Sequence, residues 1–376
     1  MKIQIREVNS SSELNAFIKF PFKHYNGNEN WVPPLIKNEK NYLSKNNPAL
    51  KQTEFQLILA YHNGKVVGRA AVIINQLENE ASDTKHARFG WLEFINKIHV
   101  SKAIFMYLED WSKARGMTSL KGPYGFTNFD KAGMLYEGFE HLGTISTIYN
   151  HHFYPKHLES LGYKKLIDWF EFKITIPDNL PEKMAHLSET IYEKYGLKNV
   201  HVGKKKEIQA VLDDFFSLVE ATYINNEGFV PFTKEQKELY KRRFLPFIHP
   251  DYTKFVADSE GKLIAFAIAM PSFSRALQKA NGNLFPKGYY YIRKAKKHSN
   301  LAKLHLIGVH PDWQNKGIPA ILMNSIIEGF HKNNIKFSES SPELENNNKI
   351  LQLLSRYEPK LIKKRRVYSK ELFVLD

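Results

Sequence analysis

One loop between two apolar runs has the residue types of an anion-binding turn. An apolar run ends at Val309, a polar loop follows with Lys316 and Gly317, and an amphipathic run begins at Pro319. A strand that enters a helix through such a loop directs several backbone N–H groups to one point, where the helix dipole adds partial positive charge. Glycine permits a close approach and an unusual backbone dihedral. The pattern predicts a phosphate site, with a plain structural turn as the alternative.

Two side chains near this loop are candidates for proton transfer. His305 lies on the predicted strand that leads into the loop, and an imidazole exchanges protons near neutral pH, as a general base must. Strict alternation would place His305, Ile307 and Val309 on one face of that strand. The alternative for His305 is a buried structural role. Glu339, on the next predicted strand, is the second candidate base.

The elements that must position these residues occur twice in the same order. In each half a hairpin is followed by a strand, a helix, a strand, a helix and a strand. The hairpin turns are expected at Asn63–Gly64 and at Glu260–Gly261, since Asn-Gly is a strong short-range hairpin signal. Leu322, Met323, Ile326, Ile327 and Phe330 recur at helical spacing after the loop. The order predicts an α/β (α+β) fold of two related domains, each a mixed sheet flanked by helices.

The length, the charge and the lack of cysteine limit the function classes. A chain of 376 residues favours two domains, and its formal charge of +15 is mostly lysine spread along the sequence. Two basic stretches, YYYIRKAKKHSNLAK and LIKKRRVY, are interpreted as solvated surface. The absence of cysteine excludes disulfides, thiolate zinc sites and cysteine nucleophiles. The adjacent pair His151–His152 would diverge on any regular element, so no metal site is predicted.

The apolar runs and the start of the chain predict a cytoplasmic protein without a membrane partner. The longest apolar runs, such as LIAFAIAM, have the length of strands rather than of membrane spans. The first ten residues alternate polar and apolar types and lack the apolar block of a signal peptide.

With these elements in order, the second half resembles the GNAT superfamily of acyl-coenzyme A N-acyltransferases. The loop of that family reads Arg or Gln, two residues, Gly, one residue, then Gly or Ala, after V-x-P at the strand end. Here Val309–Pro311 gives the V-x-P, and 314–320 reads QNKGIPA. Pro319 departs from the pattern, because it stands where a residue normally donates a backbone N–H. The resemblance covers most of residues 200–376, and the whole chain looks like a bacterial group of tandem GNAT proteins.

The resemblance implies a cofactor, an acceptor and roles for named residues. The cofactor would be acetyl-coenzyme A or another acyl-coenzyme A, and the acceptor a small-molecule or peptide amine. The residues expected to bind the cofactor are Leu306, Ile307, Gly308, Val309, Gln314, Asn315, Lys316, Gly317, Ile318 and Ala320. The family also supports His305 as the base, and its thiolate acid is a tyrosine. Tyr357 is the nearest candidate for that acid, although it is out of the family's register.

The first half resembles the family more weakly and is expected to be a degenerate GNAT-like domain without a pyrophosphate loop. The predicted boundaries are 1–178 for this domain, 179–199 for a linker helix region and 200–376 for the second domain. A connector rich in glycine and aromatic residues could line a substrate pocket or form tight turns. The polar candidates in and after this connector are Asp130, Tyr136, Glu137, Tyr149 and Asn150.

Three readings of function remain open from the sequence. The first is an acyl-coenzyme A-dependent N-acyltransferase. The second is a Fem-like transferase that takes aminoacyl-tRNA, the one case in which a nucleic acid would be a partner; the basic charge favours it and the pyrophosphate-type loop disfavours it. The third is a non-catalytic domain pair that senses acyl-coenzyme A or another ligand. The acceptor amine, the acyl length and the oligomeric state are not specified by these residues.

Overall fold

The computed structural model describes residues 2–44, 47–127, 129–179, 182–202, 204–224, 229–245 and 248–372. Its strands, in chain order, are β1 Gln4–Glu7, β2 Thr53–His62, β3 Lys65–Asn75, β4 His86–Phe94, β5 Ser119–Gly122, β6 Met134–Glu137, β7 Lys164–Thr175, β8 Lys198–Val200, β9 Thr253–Ala257, β10 Leu263–Pro271, β11 Leu301–Val309, β12 Phe337–Ser340, β13 Glu343–Leu344 and β14 Lys360–Glu371. Its α-helices are α1 Ser11–His24, α2 Ile36–Tyr42, α3 Gln76–Ser82, α4 Ile98–Lys113, α5 Phe153–Ser160, α6 Glu182–Tyr195, α7 Lys205–Ala210, α8 Leu212–Tyr223, α9 Lys234–Phe244, α10 Ser274–Ala280, α11 Lys287–His298, α12 Ile318–Lys332 and α13 Asn348–Ser355. The α/β class predicted from the sequence is confirmed.

The chain divides into two compact units that are not continuous in sequence. Unit 1 comprises Met1–Phe170, Phe273–Ile292 and Ile362–Asp376, and unit 2 comprises Glu171–Ser272 and Arg293–Leu361. The sequence-based prediction used the continuous segments 1–178, 179–199 and 200–376. The difference lies chiefly in α10 and most of β14, which belong to unit 1. Alternation along a sequence predicts a strand, but its pairing partner is a long-range choice.

In unit 1 the strand order is β1-β2-β3-β4-β5-β14, and β6 also pairs with β14. The predicted hairpin of β2 and β3 is confirmed. Its turn has positive φ at Asn63 (48°) and at Gly64 (72°), as a turn that matches the twist of the strands requires.

The two faces of the unit 1 sheet are covered by different helices. Ile58 and Ala60 of β2 join the apolar cluster formed with α4 and α5. Leu57 and Leu59 join the cluster formed with α1. Successive residues of β2 therefore alternate between two buried layers, as the period of a strand requires.

In unit 2 the strand order is β7-β12-β11-β10-β9-β8. The hairpin predicted at Glu260–Gly261 is confirmed, because β9 and β10 are antiparallel neighbours and Gly261 has a φ of 91°. Helix α12 contributes the predicted apolar face to the core of unit 2. That face is buried and consists of Leu322, Met323, Ile326, Ile327 and Phe330.

Candidate active site

Strands β11 and β12 run parallel for only four residue pairs and then separate. The register extends from Leu301–Phe337 to Leu304–Ser340. Strand β11 continues to Val309 while paired with β10 on its other side. The backbone of residues 305–309 on the β12 side therefore has no β12 partner, and an opening forms between the two strands.

A β-bulge at His305 changes which side chains share a face. Ile268 of β10 pairs with Leu306 and the next residue pairs with Leu304, so His305 is an extra residue in β11. Leu304 and Val309 belong to the core of unit 2, and Ile307 packs against it. Leu304 therefore lies on the core side together with Ile307 and Val309, which strict alternation would not allow, because the extra residue breaks the alternation of two. The common face of His305 with Ile307 and Val309 stays a prediction.

The loop after β11 presents a set of unused backbone donors. Asn315 and Gly317 have positive φ angles of 62° and 78°, and Gly317 is the N-cap of α12 without a side-chain cap. Among the described residues, none accepts a hydrogen bond from the amides of residues 315–318. The amide of Ala320 donates to the carbonyl of Gly317 at 3.0 Å, and Pro319 has no N–H. The available cradle therefore comprises residues 315–318, without Ala320.

Two lysine side chains and the apolar side chain of Ile191 lie close to this cradle. Lys316 Nζ lies 4.3 Å from the centre of the Trp313 ring, and Lys349 Nζ donates to Gln314 Oε1 at 2.8 Å. The side chain of Gln314 thus holds a second lysine beside the loop. A Cβ on Gly317 would lie 2.7 Å from Ile191 Cδ1, so a larger residue could not be added without displacing this neighbour.

The predicted bases occupy different environments. His305 is half-buried, and burial, assisted by the charge of Lys303, lowers its pKa to about 3. Its imidazole is therefore neutral at physiological pH but a weak proton acceptor. Glu339 lies on β12, with Lys303 of β11 and Lys173 of β7 as its cross-strand neighbours.

A third candidate base, a carboxyl group that sequence reasoning missed, lies near the opening. Burial raises the pKa of Glu343 to about 7, against the opposing effect of Lys303. Glu343 in turn contributes to raising the pKa of Tyr223, whose main cause is burial. The Tyr223 hydroxyl donates to the carbonyl of Ile307 at 3.2 Å. These electrostatic and hydrogen-bond contacts place Glu343 close to the separated part of β11.

No local sequence signal marks Glu343. It belongs to a two-residue strand that pairs with β7, too short for a periodic pattern to be recognised. Its position depends on Ser341, whose N–H and Oγ both donate to the Leu304 carbonyl at 2.9 Å. Oγ also donates to the His305 carbonyl at 3.0 Å. These bonds fix the segment before Glu343 at the end of the parallel pairing.

Tyr357, the predicted acid, lies in the core of unit 2. Its side chain is buried, and its hydroxyl has no hydrogen-bond partner among the residues that the structure describes. Burial raises its pKa to about 12, so the group keeps its proton. An unpaired buried hydroxyl is uncommon, and it leaves this O–H free to donate to another group.

Two of the five predicted pocket residues form local hydrogen bonds in unit 1. Asp130 Oδ2 accepts from the backbone N–H of Thr127 at 2.8 Å. The amide of Asn150 pairs with both backbone groups of Leu135, accepting at 2.7 Å and donating at 3.0 Å. Asn150 therefore holds β6 in place.

Two others are associated with β14. The Arg366 guanidinium lies 3.9 Å from the centre of the Tyr136 ring. Glu137 forms an ion pair with Lys364 at 3.0 Å. Both contacts fasten β14 to β6.

The fifth, Tyr149, borders a buried polar cluster. Its hydroxyl donates to the Phe139 carbonyl at 3.2 Å and accepts from Asn28 at 3.1 Å. Its own carbonyl accepts from the Tyr25 hydroxyl at 3.2 Å. The structure thus spreads the five residues over separate contacts within unit 1, and their grouping as one pocket stays a prediction.

The cluster beside Tyr149 is centred on Glu93 of β4. Glu93 Oε2 accepts from the hydroxyls of Tyr25 and, at 3.0 Å, of Tyr154. Burial raises the pKa of Glu93 to about 7, although Arg69 and both tyrosines act in the opposite direction. His24 Nε2 lies 3.0 Å from the Tyr154 hydroxyl, and burial lowers the pKa of His24 to about 3.

The described part of the chain offers neither a metal site nor a membrane span. Within it, no three or more His, Asp or Glu side chains are grouped so that they could hold a metal ion. No helix there is both long enough and apolar enough to cross a membrane.

Comparison with known proteins matches residues 212–350 to the Acetyltransferase (GNAT) family. Protein YghO of Escherichia coli (strain K12) is 27% identical over 375 residues, covering 98% of this chain and 95% of that protein. Bacterial ceramide synthase of Caulobacter vibrioides (strain NA1000 / CB15N) is 24% identical over 318 residues, covering 83% and 82%.

Two solved structures resemble the chain over its whole length. A tandem GNAT protein from the clavulanic acid biosynthesis pathway has a TM-score of 0.58 and 11% identity, with 100% of both chains covered. A GCN5-related N-acetyltransferase from Sphaerobacter thermophilus has a TM-score of 0.53 and 11% identity, covering 98% of this chain and 96% of that one. At such identities the likeness establishes the fold alone.

Proposed function

We propose that unit 2 is an N-acyltransferase, because residues 212–350 match the Acetyltransferase (GNAT) family and the chain resembles a tandem GNAT protein in fold. It uses acetyl-coenzyme A or another acyl-coenzyme A, and its acceptor is an amine. The observation that carries this proposal is the cradle of four unused amides at residues 315–318. A cytoplasmic location, as expected from the sequence, is part of the proposal.

The cradle suits a pyrophosphate in geometry and in charge. Its donors lie at the start of α12, a 15-residue helix whose dipole favours an anion at that end. Lys316 and Lys349 add positive charge beside it. Pro319 removes one donor, and a charge-assisted hydrogen bond contributes about 1.5–3 kcal/mol. The site therefore holds its anion with one bond fewer than the family pattern provides.

The cofactor, when bound, supplies the acyl group as an activated thioester. The chain itself has to remove a proton from the acceptor amine and to provide a proton for the leaving thiolate. Glu343 suits the first role, because a carboxyl group with a pKa of about 7 is both available and effective as a base at neutral pH. His305, with a pKa near 3, is the weaker candidate. The free O–H of Tyr357 suits the second role.

Calorimetric titration with acetyl-coenzyme A and longer acyl-coenzymes A tests binding. Release of free thiol in the presence of an amine panel tests transfer, and because the chain has no cysteine, that signal reports coenzyme A alone. The panel begins with long-chain amines of the sphingoid-base type, which the name of the Caulobacter relative indicates. We expect binding followed by amine-dependent thiol release.

Other results identify other functions. Binding without transfer to any amine would favour a sensor of acyl-coenzyme A. Transfer from aminoacyl-tRNA together with no binding of coenzyme A would favour the Fem-like reading. The absence of both binding heat and thiol release at millimolar ligand would contradict the proposal.

A further inference from the structure

A group of exposed apolar side chains takes no part in the chemistry above. Leu284, Phe285, Tyr289 and Tyr290 are 38%, 88%, 66% and 61% exposed. They occupy the connection between α10 and α11 and the first turn of α11, and we call them the tip. Single exposed apolar residues are common, whereas a contiguous group marks an interaction site.

The tip is mounted on an ordered support within unit 1. Gln278 of α10 donates to the carbonyls of Glu29 and Trp31 at 2.8 and 2.9 Å. The N–H of Ile36 donates to the carbonyl of Gly282 at 2.9 Å. Residues 29–36 thus anchor α10 and the connection that follows it.

The conformation of the tip is fixed as well. The N–H of Tyr289 donates to the carbonyl of Leu284 at 2.6 Å, and the N–H of Asn283 donates to that of Ala280 at 3.0 Å. These bonds close the connection around Phe285, so its ring is held in solvent instead of folding back onto the protein. An exposed ring does not gain the favourable free energy that burial of its apolar surface would give. Burial against a binding partner would provide that free energy.

The surroundings of the tip are strongly basic. No Asp or Glu occurs between Glu260 and Asp312. The Lys and Arg residues of segment 271–298 are Arg275, Lys279, Lys287, Arg293, Lys294, Lys296 and Lys297. Six of these are exposed and form no ion pair with any residue that the structure describes, namely Arg275, Lys279, Lys287, Arg293, Lys294 and Lys297.

We propose that this surface docks the protein on an anionic lipid membrane. Leu284 and Phe285 enter the boundary between headgroups and acyl chains, Tyr289 and Tyr290 lie at headgroup level, and the exposed cations of α11 face anionic headgroups. A basic helix with aromatic residues at its exposed end is the pattern of a segment that lies in a membrane interface.

The other polyanions fit the surface less well. A nucleic acid would neutralise the cations but would leave Phe285 and Leu284 without an apolar environment. A lipid interface offers anionic headgroups to the cations and an apolar environment to Phe285 and Leu284. The sequence-based expectation of no membrane partner rested on the lack of a spanning segment, and lying on a surface requires none. This inference is independent of the proposed acyl transfer.

The absence of cysteine allows a direct test on the full chain. In Phe285→Cys, an environment-sensitive dye is attached at the only thiol of the protein, and Met106→Cys, at a residue 53% exposed on α4, is the matched control. We expect a blue shift and brighter emission at position 285 when phosphatidylglycerol-containing vesicles are added. Pure phosphatidylcholine vesicles should have much less effect, and the dye at 106 should not respond.

Unlabelled variants test the apolar part. Vesicle flotation of Leu284→Ala combined with Phe285→Ala should show binding reduced by about tenfold or more, because the buried apolar area sets interfacial affinity. The control is Ile98→Ala combined with Met106→Ala, which shortens two exposed apolar residues of α4. The control should bind like the parent. Thermal unfolding of both variants checks that the fold is retained.

A second pair tests the basic part. Arg293→Glu combined with Lys294→Glu should reduce binding by at least about fivefold per cation, since each basic residue near an anionic surface contributes to this extent. Lys65→Glu combined with Lys262→Glu changes the net charge equally at two exposed hairpin turns and should have little effect.

Three outcomes would overturn the inference. One is a parent protein that does not float with anionic vesicles at low salt. Another is a loss of binding in the charge variant while the Leu284→Ala and Phe285→Ala variant binds normally, which would indicate a general polyanion site. The third is a dye response at 285 that appears without vesicles as the protein is concentrated, which would assign the tip to self-association.

Discussion

The two units place a strand, a connection and a helix in the same order, and they differ in what the connection does. In unit 2 the residues 310–317 lie between β11 and α12, whereas in unit 1 only 95–97 lie between β4 and α4. The short connection uses its amides internally: Ile95 N–H donates to Val67 at 3.0 Å and Lys97 N–H to the Ile95 carbonyl at 2.6 Å. A helix start binds an anion only if the loop before it is long enough to leave its donors unused.

The units also differ beside the strand. In unit 1 the connector that the sequence left as either pocket lining or tight turns lies along β4. There Tyr124 N–H donates to the Phe89 carbonyl at 2.8 Å and Arg88 donates to the Gly125 carbonyl at 3.2 Å. In unit 2 the pairing of β11 with β12 ends at Leu304, and the carbonyls of His305 and Ile307 accept from the side chains of Ser341 and Tyr223. The strand is therefore accompanied by backbone of its own chain in the first case, and beyond Leu304 it has no β12 partner in the second.

Two buried glutamates complete the comparison. Burial raises the pKa values of Glu93 and Glu343 alike to about 7. Glu93 accepts hydrogen bonds from Tyr25 and Tyr154, whereas no donor to the Glu343 carboxyl is found among the described residues. A similar pKa can thus accompany a satisfied structural group or a group that is free to react.

The largest effect is expected from Gly317→Trp. The Cβ of a larger residue would lie 2.7 Å from Ile191 Cδ1, so the loop and its amides would be displaced. Losing several charge-assisted bonds to the anion should weaken coenzyme A binding by about a hundredfold or more. Calorimetry measures the affinity. Gly64→Trp is the control, since Gly64 has a similar φ of 72° and open space around it. Normal affinity in Gly317→Trp would show that the loop holds no phosphate.

Glu343→Gln and Glu93→Gln separate the two glutamates. If Glu343 is the base, the first change should lower the turnover rate about a hundredfold, the usual scale of general-base catalysis, and leave coenzyme A affinity unchanged. Glu93→Gln should lower neither the turnover rate nor the coenzyme A affinity. The rate of the parent enzyme should rise as the pH increases through about 7, when Glu343 loses its proton. A rate that does not change near neutral pH would favour His305, which stays unprotonated there.

Replacing tyrosine by phenylalanine should reduce turnover at position 357 and thermodynamic stability at position 154. Tyr357→Phe should reduce turnover by about tenfold, at the low end of acid catalysis, without loss of thermal stability, because its hydroxyl has no partner among the described residues. Tyr154→Phe should lower the free energy of unfolding by about 1–3 kcal/mol, because its hydroxyl bonds Glu93 and the Phe94 N–H. If Tyr357→Phe has normal turnover, solvent supplies the proton.

The smallest expected effect is an increase in coenzyme A affinity. Pro319→Gly restores the N–H that the family pattern provides, and coenzyme A affinity should rise by up to about tenfold. Stability should fall slightly, because glycine increases the entropy of the unfolded chain. Calorimetry and thermal unfolding of the same samples measure both quantities. An affinity that is equal or lower would mean that the other amides of the loop have already compensated.

The sequence predicted best what depends on neighbouring residues. The hairpins at Asn63–Gly64 and Glu260–Gly261 were identified because their turn residues favour the required dihedrals locally. Helix α12 was identified from one apolar stripe. What the sequence could not provide was the partner of β14, because strand pairing joins residues far apart in the chain.

The candidate site shows the same division. Its cradle, residues 315–318, is contiguous, so Gly317 and the helix that follows were enough to predict it from the sequence. The bulge at His305 and the position of Glu343 arise from pairing with β10 and β7 and from burial. The sequence by itself determined the candidate anion site, since such a site depends on backbone groups of one short segment. Only the tertiary structure decided which carboxyl group is the candidate base, because a pKa is set by the burial and charges that distant segments bring together.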